Sequence, residues 1–87
     1  MATQQYVATH KTLGQAIRDT CVTKGLTLAD ASIQLGLKPN AMSRWASGIQ
    51  PTPKYYKVLM EFLGVNLHRL GALIVEEQLR RYGLKTG

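Results

Sequence analysis

The stretch Thr27–Gly48 reads TLADASIQLGLKPNAMSRWASG, and its pattern predicts two short helices joined by a tight turn. The turn is Gly36-Leu37-Lys38. Glycine suits the left-handed conformation just past a helix end, and Pro39 suits the first position of a helix, where its missing N–H costs nothing. Two helices joined by a three- or four-residue turn that contains glycine form a helix-turn-helix. In a small basic chain, this arrangement points to DNA as the partner.

The length and the charge of the chain narrow its function class. Eighty-seven residues form one domain with one modest core, and 45% of them are hydrophobic, which is typical of a folded protein. Eleven Lys and Arg residues against five Asp and Glu residues give a net charge of +6 and a pI near 9.8. Such a charge favours a polyanionic partner over an incidentally basic surface.

Cysteine usage and hydropathy indicate the compartment. Cys21 is the only cysteine, so the chain forms no internal disulfide and no cysteine-based metal site, and we expect this residue in the core. Residues 1–11 do not resemble a signal peptide, and no apolar run approaches the roughly 18 residues that span a membrane. We therefore expect a cytoplasmic protein with no membrane partner, no metal and no cofactor.

Capping signals along the chain predict an all-α fold. Thr12 and Gln15 have the spacing of a capping box, Thr27 is a plausible N-cap, and Asn66 can cap a last helix that reaches about Tyr82. The five expected helices are residues 12–24, 27–35, 39–47, 53–63 and 66–82. We expect residues 1–11 to form an N-terminal arm, residues 12–66 the core, and residues 67–87 a C-terminal helix that completes it.

Apolar residues at helical spacing indicate the buried faces of these helices. Trp45 is expected to anchor the third helix in the core rather than to stack on a base. The predicted inward-facing residues are Leu13, Ile17, Cys21, Leu28, Ala31, Leu35, Met42, Trp45, Tyr56, Leu59, Met60, Leu63, Leu67, Leu70 and Ile74.

The start of the predicted third helix carries the residue types that read DNA. In a helix-turn-helix the N-terminal end of the second helix enters the major groove. Asparagine can pair with adenine, arginine with guanine, and an alanine methyl can pack on a thymine methyl. A solvated helix face has the same composition, and this alternative stays open for each residue. The expected base contacts are Lys38, Asn40, Ala41, Ser43 and Arg44, with Lys38 equally suited to a phosphate.

Six short pieces of the chain occur in a characteristic order: Leu13-Gly14, Ile17-Arg18, Lys24-Gly25-Leu26-Thr27, Leu35-Gly36-Leu37, Met42-Ser43-Arg44-Trp45 with Gly48, and Leu63-Gly64-Val65-Asn66-Leu67. In this order, over about two thirds of the chain, they resemble the Cro/cI-like helix-turn-helix family, also called XRE-type. Each piece alone is weak evidence, whereas the ordered set is specific.

The resemblance implies a compact, five-helix, lambda-repressor-like DNA-binding domain that acts as a dimer on a near-palindromic operator. By position, the base-reading residues of the family fall on Lys38, Pro39, Asn40, Ser43 and Arg44. The chain departs from the family at Leu28, where relatives commonly have a glutamine that contacts a phosphate and braces the recognition helix.

Polar and cationic residues near the predicted helix-turn-helix are candidates for contacts with the DNA backbone. In the family's arrangement, the loop after the recognition helix and the start of the fourth helix lie along the phosphates. A solvated surface is the alternative for each candidate. The expected phosphate contacts are Thr27, Arg18, Lys54, Tyr55 and Lys57.

The last helix carries a second apolar stripe, rotated from the stripe that we expect to complete the core. A helix that is apolar on two sides needs two burial partners. A second copy of the chain would set two recognition helices one DNA turn apart. An anionic membrane surface and a different protein are the alternatives. The expected dimer contacts are Ala72, Val75, Leu79 and Tyr82.

We therefore expect a dimeric, sequence-specific DNA-binding regulator of transcription, acting as a repressor. We expect no enzyme, because the sequence has no paired-carboxylate spacing, phosphate-binding loop or nucleophile motif. Two alternatives stay open. An antitoxin-like autoregulator would bind a second protein and co-purify with it. An interaction module that has lost DNA binding would fail to bind DNA, whatever the salt concentration.

Overall fold

Five α-helices account for most of residues 11–82, the part of the chain that the computed structural model describes; the side chains of residues 81 and 82 lie outside that description. The helices are α1 (Leu13–Lys24), α2 (Leu28–Gln34), α3 (Ala41–Ala46), α4 (Tyr56–Leu63) and α5 (Leu67–Tyr82), and a 3-10 turn, Pro53–Tyr55, precedes α4. The all-α prediction is confirmed for these residues. The predicted arm, apart from Lys11, and residues 83–87 lie outside them.

Side-chain caps begin three of the helices where the sequence predicts them. The Thr12 hydroxyl accepts the N–H of Gln15 at 3.1 Å, and the Thr27 hydroxyl accepts the N–H of Asp30 at 3.0 Å. The Asn66 side-chain oxygen accepts the N–H of Arg69 at 2.8 Å. Each bond satisfies a backbone donor that the first turn of a helix leaves without an intrahelical partner.

The third helix is shorter than predicted. We expected it to run from Pro39 to Ser47, but α3 begins at Ala41 and ends at Ala46. The Lys38 carbonyl accepts the N–H of Ala41 at 3.0 Å, and Asn40 has φ −95° and ψ 5°. These features are typical of a type I turn, in which proline favours the second position. Pro39 therefore shapes the turn before α3 rather than the first turn of the helix.

The fourth helix also begins later than predicted. Its expected first turn is a 3-10 turn, in which the N–H of Tyr55 donates to the Thr52 carbonyl at 3.0 Å. Pro53 occupies the first position of that turn, as expected, but the Thr52 side chain makes no capping bond. The 3-10 geometry is common at helix starts, and here it precedes an α-helix of only eight residues.

The core is formed by all five helices. Most of the predicted inward-facing residues are buried, while Leu28, Leu35, Tyr56, Met60 and Leu63 pack half-buried against the core. Three further residues, Ala46, Phe62 and Leu73, are buried without having been predicted. The buried apolar residues are Leu13, Ile17, Cys21, Ala31, Met42, Trp45, Ala46, Leu59, Phe62, Leu70, Leu73 and Ile74.

The prediction that Leu67 completes the core is wrong, since this side chain is 59% exposed. The buried stripe of α5 contains Leu70, Leu73 and Ile74. On a helix of 3.6 residues per turn Leu67 lies on the same side of α5 as Ile74, so its exposure follows from its place as the first residue of the helix. The inward face of α5 therefore begins at Leu70, one turn after the helix starts, and includes Leu73.

Gly14 lies where three helices meet. A Cβ atom at this position would lie 2.5 Å from the Ala46 carbonyl oxygen of α3 and 3.0 Å from Glu77 Oε1 of α5. The Gly14 N–H donates to the same Glu77 oxygen at 2.8 Å. The missing side chain thus lets α1 pack directly against the backbone of α3.

Among residues 11–82, no single helix has the length and apolar character needed to cross a lipid bilayer. One bent pair, Pro53–Leu63 with Leu67–Arg80, reaches the required length and composition together, and its two members meet at 106°.

Candidate nucleic-acid interface

The turn between α2 and α3 is closed by backbone hydrogen bonds around Gly36. The N–H of Gly36 donates to the Ile33 carbonyl at 3.0 Å, and the N–H of Leu37 donates to the Ser32 carbonyl at 2.9 Å. This pair of bonds is a Schellman motif, which needs a residue with positive φ, and Gly36 has φ 75°. Glycine adopts this conformation without steric cost, so the chain reverses immediately after α2.

The helix after this turn has one buried and one exposed face. Met42, Trp45 and Ala46 are buried and fix α3 on the core. The residues at the i, i+3, i+4 and i+7 positions of the other face are exposed, and they are Asn40, Ser43, Arg44 and Ser47. All four are polar, and Arg44 is cationic. The predicted role of Trp45 as a core anchor is confirmed, and the polar face of α3 points away from the protein.

A groove of about 470 Å³ runs beside this face, between the turn before α3 and the loop after it. Leu37, Trp45 and Ile49 contribute apolar surface to its lining, and Lys38 and Arg44 contribute positive charge. The other residues that line it are Gly36, Asn40, Ala41, Gln50, Thr52 and Tyr55. The groove is therefore an open, partly apolar surface with cationic and amide side chains.

The groove brings together some of the predicted contacts and leaves out others. Lys38, Asn40, Ala41 and Arg44 line it with Tyr55, although Ala41 is half-buried against the core. Pro39 and Ser43 are exposed beside it but do not line it. The remaining candidates are exposed on other elements: Arg18 on α1, Thr27 at the start of α2, Lys54 in the 3-10 turn and Lys57 on α4. The Thr27 hydroxyl is occupied as a helix cap.

An aromatic contact links α3 to the 3-10 turn. The rings of Trp45 and Tyr55 have centroids 5.2 Å apart and are tilted by 54°. The Lys54 ammonium lies 5.1 Å from the centroid of the Tyr55 ring, within the range of a cation–π interaction. Tyr55 therefore packs against the anchor of α3 on one side and holds a cation beside the groove.

Acidic residues are absent from the part of the sequence that forms this surface. Residues 31–60 contain Lys38, Arg44, Lys54 and Lys57 but no Asp or Glu. The five acidic residues of the chain are Asp19, Asp30, Glu61, Glu76 and Glu77. Asp19 pairs with Lys11 at 2.8 Å and Glu76 with Arg80 at 3.9 Å, both outside residues 31–60. Residues 31–60, which form α3 and most of the groove, thus carry four positive charges and no negative charge.

Sequence reasoning missed three residues of this region. Gln50 and Thr52 are exposed and line the groove from the loop after α3. The sequence feature that could have identified them is a pair of polar side chains next to Pro51 and Pro53. Ser32 is fully buried at the junction of α2 and α3, where its hydroxyl accepts the N–H of Met42 at 3.0 Å. The sequence feature that could have identified Ser32 is a polar residue next to Ala31, on the apolar side of α2.

Cys21 lies in a buried environment that disfavours a reactive thiolate. Burial raises the pKa of the Cys21 thiol, whereas an activated nucleophile needs a lowered one. Within residues 11–82, no three His, Cys, Asp or Glu side chains gather closely enough to hold a metal ion.

The exposed face of α5 forms a second surface. Leu67, Ala72, Val75 and Leu79 line a groove of about 580 Å³, and Val75 is 58% exposed. Leu79 is half-buried, and the side chain of Tyr82, the fourth predicted dimer residue, lies outside the described part of the chain. Leu67, which we expected in the core, belongs to this apolar face instead.

No protein-family model, curated protein or solved structure matches this chain. The function proposed below therefore rests on the residues of the chain and their geometry.

Proposed function

We propose that this protein is a sequence-specific, double-stranded DNA-binding regulator of transcription, with α2, the turn and α3 acting as a helix-turn-helix. It binds a near-palindromic operator as a dimer and acts as a repressor, without enzymatic activity. The observation that carries the proposal is the exposed face of α3, where Asn40, Ser43 and Arg44 stand on a helix anchored by Met42 and Trp45.

The charge distribution supports this function. Lys38, Arg44, Lys54 and Lys57 lie in residues 31–60, which contain no acidic residue to oppose a phosphate backbone. Phosphate contacts supply most of the sequence-independent affinity of a DNA-binding protein, and base contacts supply the specificity. We assign Asn40 and Arg44 to bases, because their side chains match adenine and guanine, and we assign Lys54 and Lys57 to phosphates.

The first test is binding to duplexes selected by the protein from a random library, measured by fluorescence anisotropy at two salt concentrations. We expect affinity to fall steeply with salt. Arg44→Ala should weaken binding to the selected site by about 5- to 160-fold, which corresponds to about 1–3 kcal/mol for a lost arginine–guanine contact. It should also relax the preference at one base pair.

Arg80→Ala is the matched control, because it removes the same charge from an exposed arginine of α5 that is paired with Glu76. We expect it to change affinity only slightly and equally for all sequences. If no duplex is enriched at low salt, or if the two arginine variants behave alike, the assignment to sequence-specific DNA binding is wrong.

The second test concerns the apolar face of α5. Val75→Asp places a charge among Leu67, Ala72 and Leu79, and we expect it to convert a dimer into a monomer in sedimentation-velocity experiments. Val22→Asp is the control, since Val22 is 79% exposed on α1, away from this face, and its variant should stay dimeric. A wild-type protein that sediments as a monomer would leave this face to a different protein, as an antitoxin-like regulator requires.

A further inference from the structure

The helix that carries the proposed base contacts is capped differently from α1 and α2. Thr12 and Thr27 have extended backbones, with ψ 162° and ψ 165°, and each side chain caps its own helix. Asn40, the residue before α3, has ψ 5° because it belongs to the turn that Pro39 shapes, and its side chain makes no capping bond. An N-cap side chain normally reaches its own helix from an extended backbone. The geometry of the turn therefore denies α3 a cap from Asn40.

Ser32 supplies the missing acceptor from α2, ten residues earlier in the chain. Its hydroxyl accepts the N–H of Met42, at the second position of α3, at 3.0 Å, and donates to the Leu28 carbonyl at 2.9 Å. Its backbone carbonyl accepts the N–H of Leu37 at 2.9 Å and so closes the turn. Ser32 is fully buried, so no water competes for these bonds.

We propose that Ser32 is a positioning residue: its hydroxyl supplies the cap that the turn denies to Asn40, and it fixes the start of α3 against α2, which holds the Asn40 carboxamide in place to bind a base. The role in base recognition rests on the proposed function, whereas the cap itself does not. A side chain that caps a helix has its oxygen engaged with the backbone, and paired hydrogen bonds to adenine need both the oxygen and the NH2 group of asparagine.

The cap is tested on the free protein by amide hydrogen exchange, with the Leu59 amide of α4 as the reference for global opening. In Ser32→Ala, the Met42 amide should exchange about 2- to 30-fold faster relative to Leu59, the range that corresponds to the loss of a helix cap. Thr12→Ala is the matched control, since it removes a capping hydroxyl from α1 and should leave Met42 protected. An unchanged rate at Met42 in Ser32→Ala would overturn the proposal.

The positioning role is tested on the selected duplex. The base pair read by Asn40 is the one whose preference disappears in Asn40→Ala. Ser32→Ala should weaken the preference at this base pair, and Asn40→Ala should have a smaller effect in the Ser32→Ala background than in wild type. Full discrimination by a Ser32→Ala protein with a fast-exchanging Met42 amide would overturn the positioning role. If wild type binds no DNA, the proposed function fails, and the exchange data still decide whether Ser32 is the cap.

Discussion

Gly14→Ala should lower the free energy of unfolding by about 1–2 kcal/mol, although alanine is the better helix former. Helix propensity alone would favour alanine by about 1 kcal/mol. The added Cβ, however, would lie 2.5 Å from the Ala46 carbonyl oxygen, a backbone atom that cannot turn aside. Overpacking of this kind typically costs about 1–3 kcal/mol and here pushes α3 away from α1. Denaturant unfolding of the purified variant measures the effect.

Gly71→Ala is the matched control for this prediction. Gly71 lies inside α5, and a Cβ built there meets no atom within 4 Å. Only the propensity term applies, so this variant should be more stable by about 0.5–1 kcal/mol. Opposite signs for the two substitutions would establish the close approach of α1 and α3. A similar increase in the free energy of unfolding for both variants would contradict it.

Leu59→Ala should lower the free energy of unfolding by about 2–5 kcal/mol, the range for truncating a fully buried leucine. Leu59 is 0% exposed in the middle of α4. Domains of this size have a free energy of unfolding of roughly 5–15 kcal/mol, so the loss is a large fraction of the total. The midpoint of urea unfolding should fall steeply while the slope stays constant.

Leu67→Ala removes the same atoms from a leucine that is 59% exposed, on the apolar face of α5. We expect this variant to stay within about 0.5 kcal/mol of wild type at protein concentrations too low for dimers. The comparison tests whether Leu67 lies outside the core, because the sequence pattern placed both leucines inside it. Equal losses of stability in the Leu59 and Leu67 variants would contradict the exposed position of Leu67.

Local signals in the sequence sufficed for much of the fold. Thr12, Thr27 and Asn66 cap the helices that they were predicted to cap. Gly36 ends α2 because a residue with positive φ is needed there, and this requirement is readable from the residue type alone. The helical spacing of Leu13, Ile17 and Cys21 identifies the buried side of α1. Such features depend on neighbours within one or two turns, so a linear pattern records them.

The candidate site could be predicted only in part. Asn40 and Arg44 were singled out by residue type and position, and both line the groove beside α3. Gln50 and Thr52 were not, because their place in the groove depends on how the loop after α3 folds back. The start of α3 was also misplaced, since a proline fits equally well in the first turn of a helix and in a preceding type I turn.

The sequence by itself determined the helical content, the caps of α1, α2 and α5, and the absence of acidic residues from residues 31–60. Only the tertiary structure decided which apolar residues of α5 turn inward, that Gly14 meets the backbone of α3, and that Ser32 caps α3 from another helix. The physical reason is the range of the interactions. Caps and turns are set by atoms a few residues apart, whereas close packing and buried hydrogen bonds join atoms that the chain brings together only when the helices assemble.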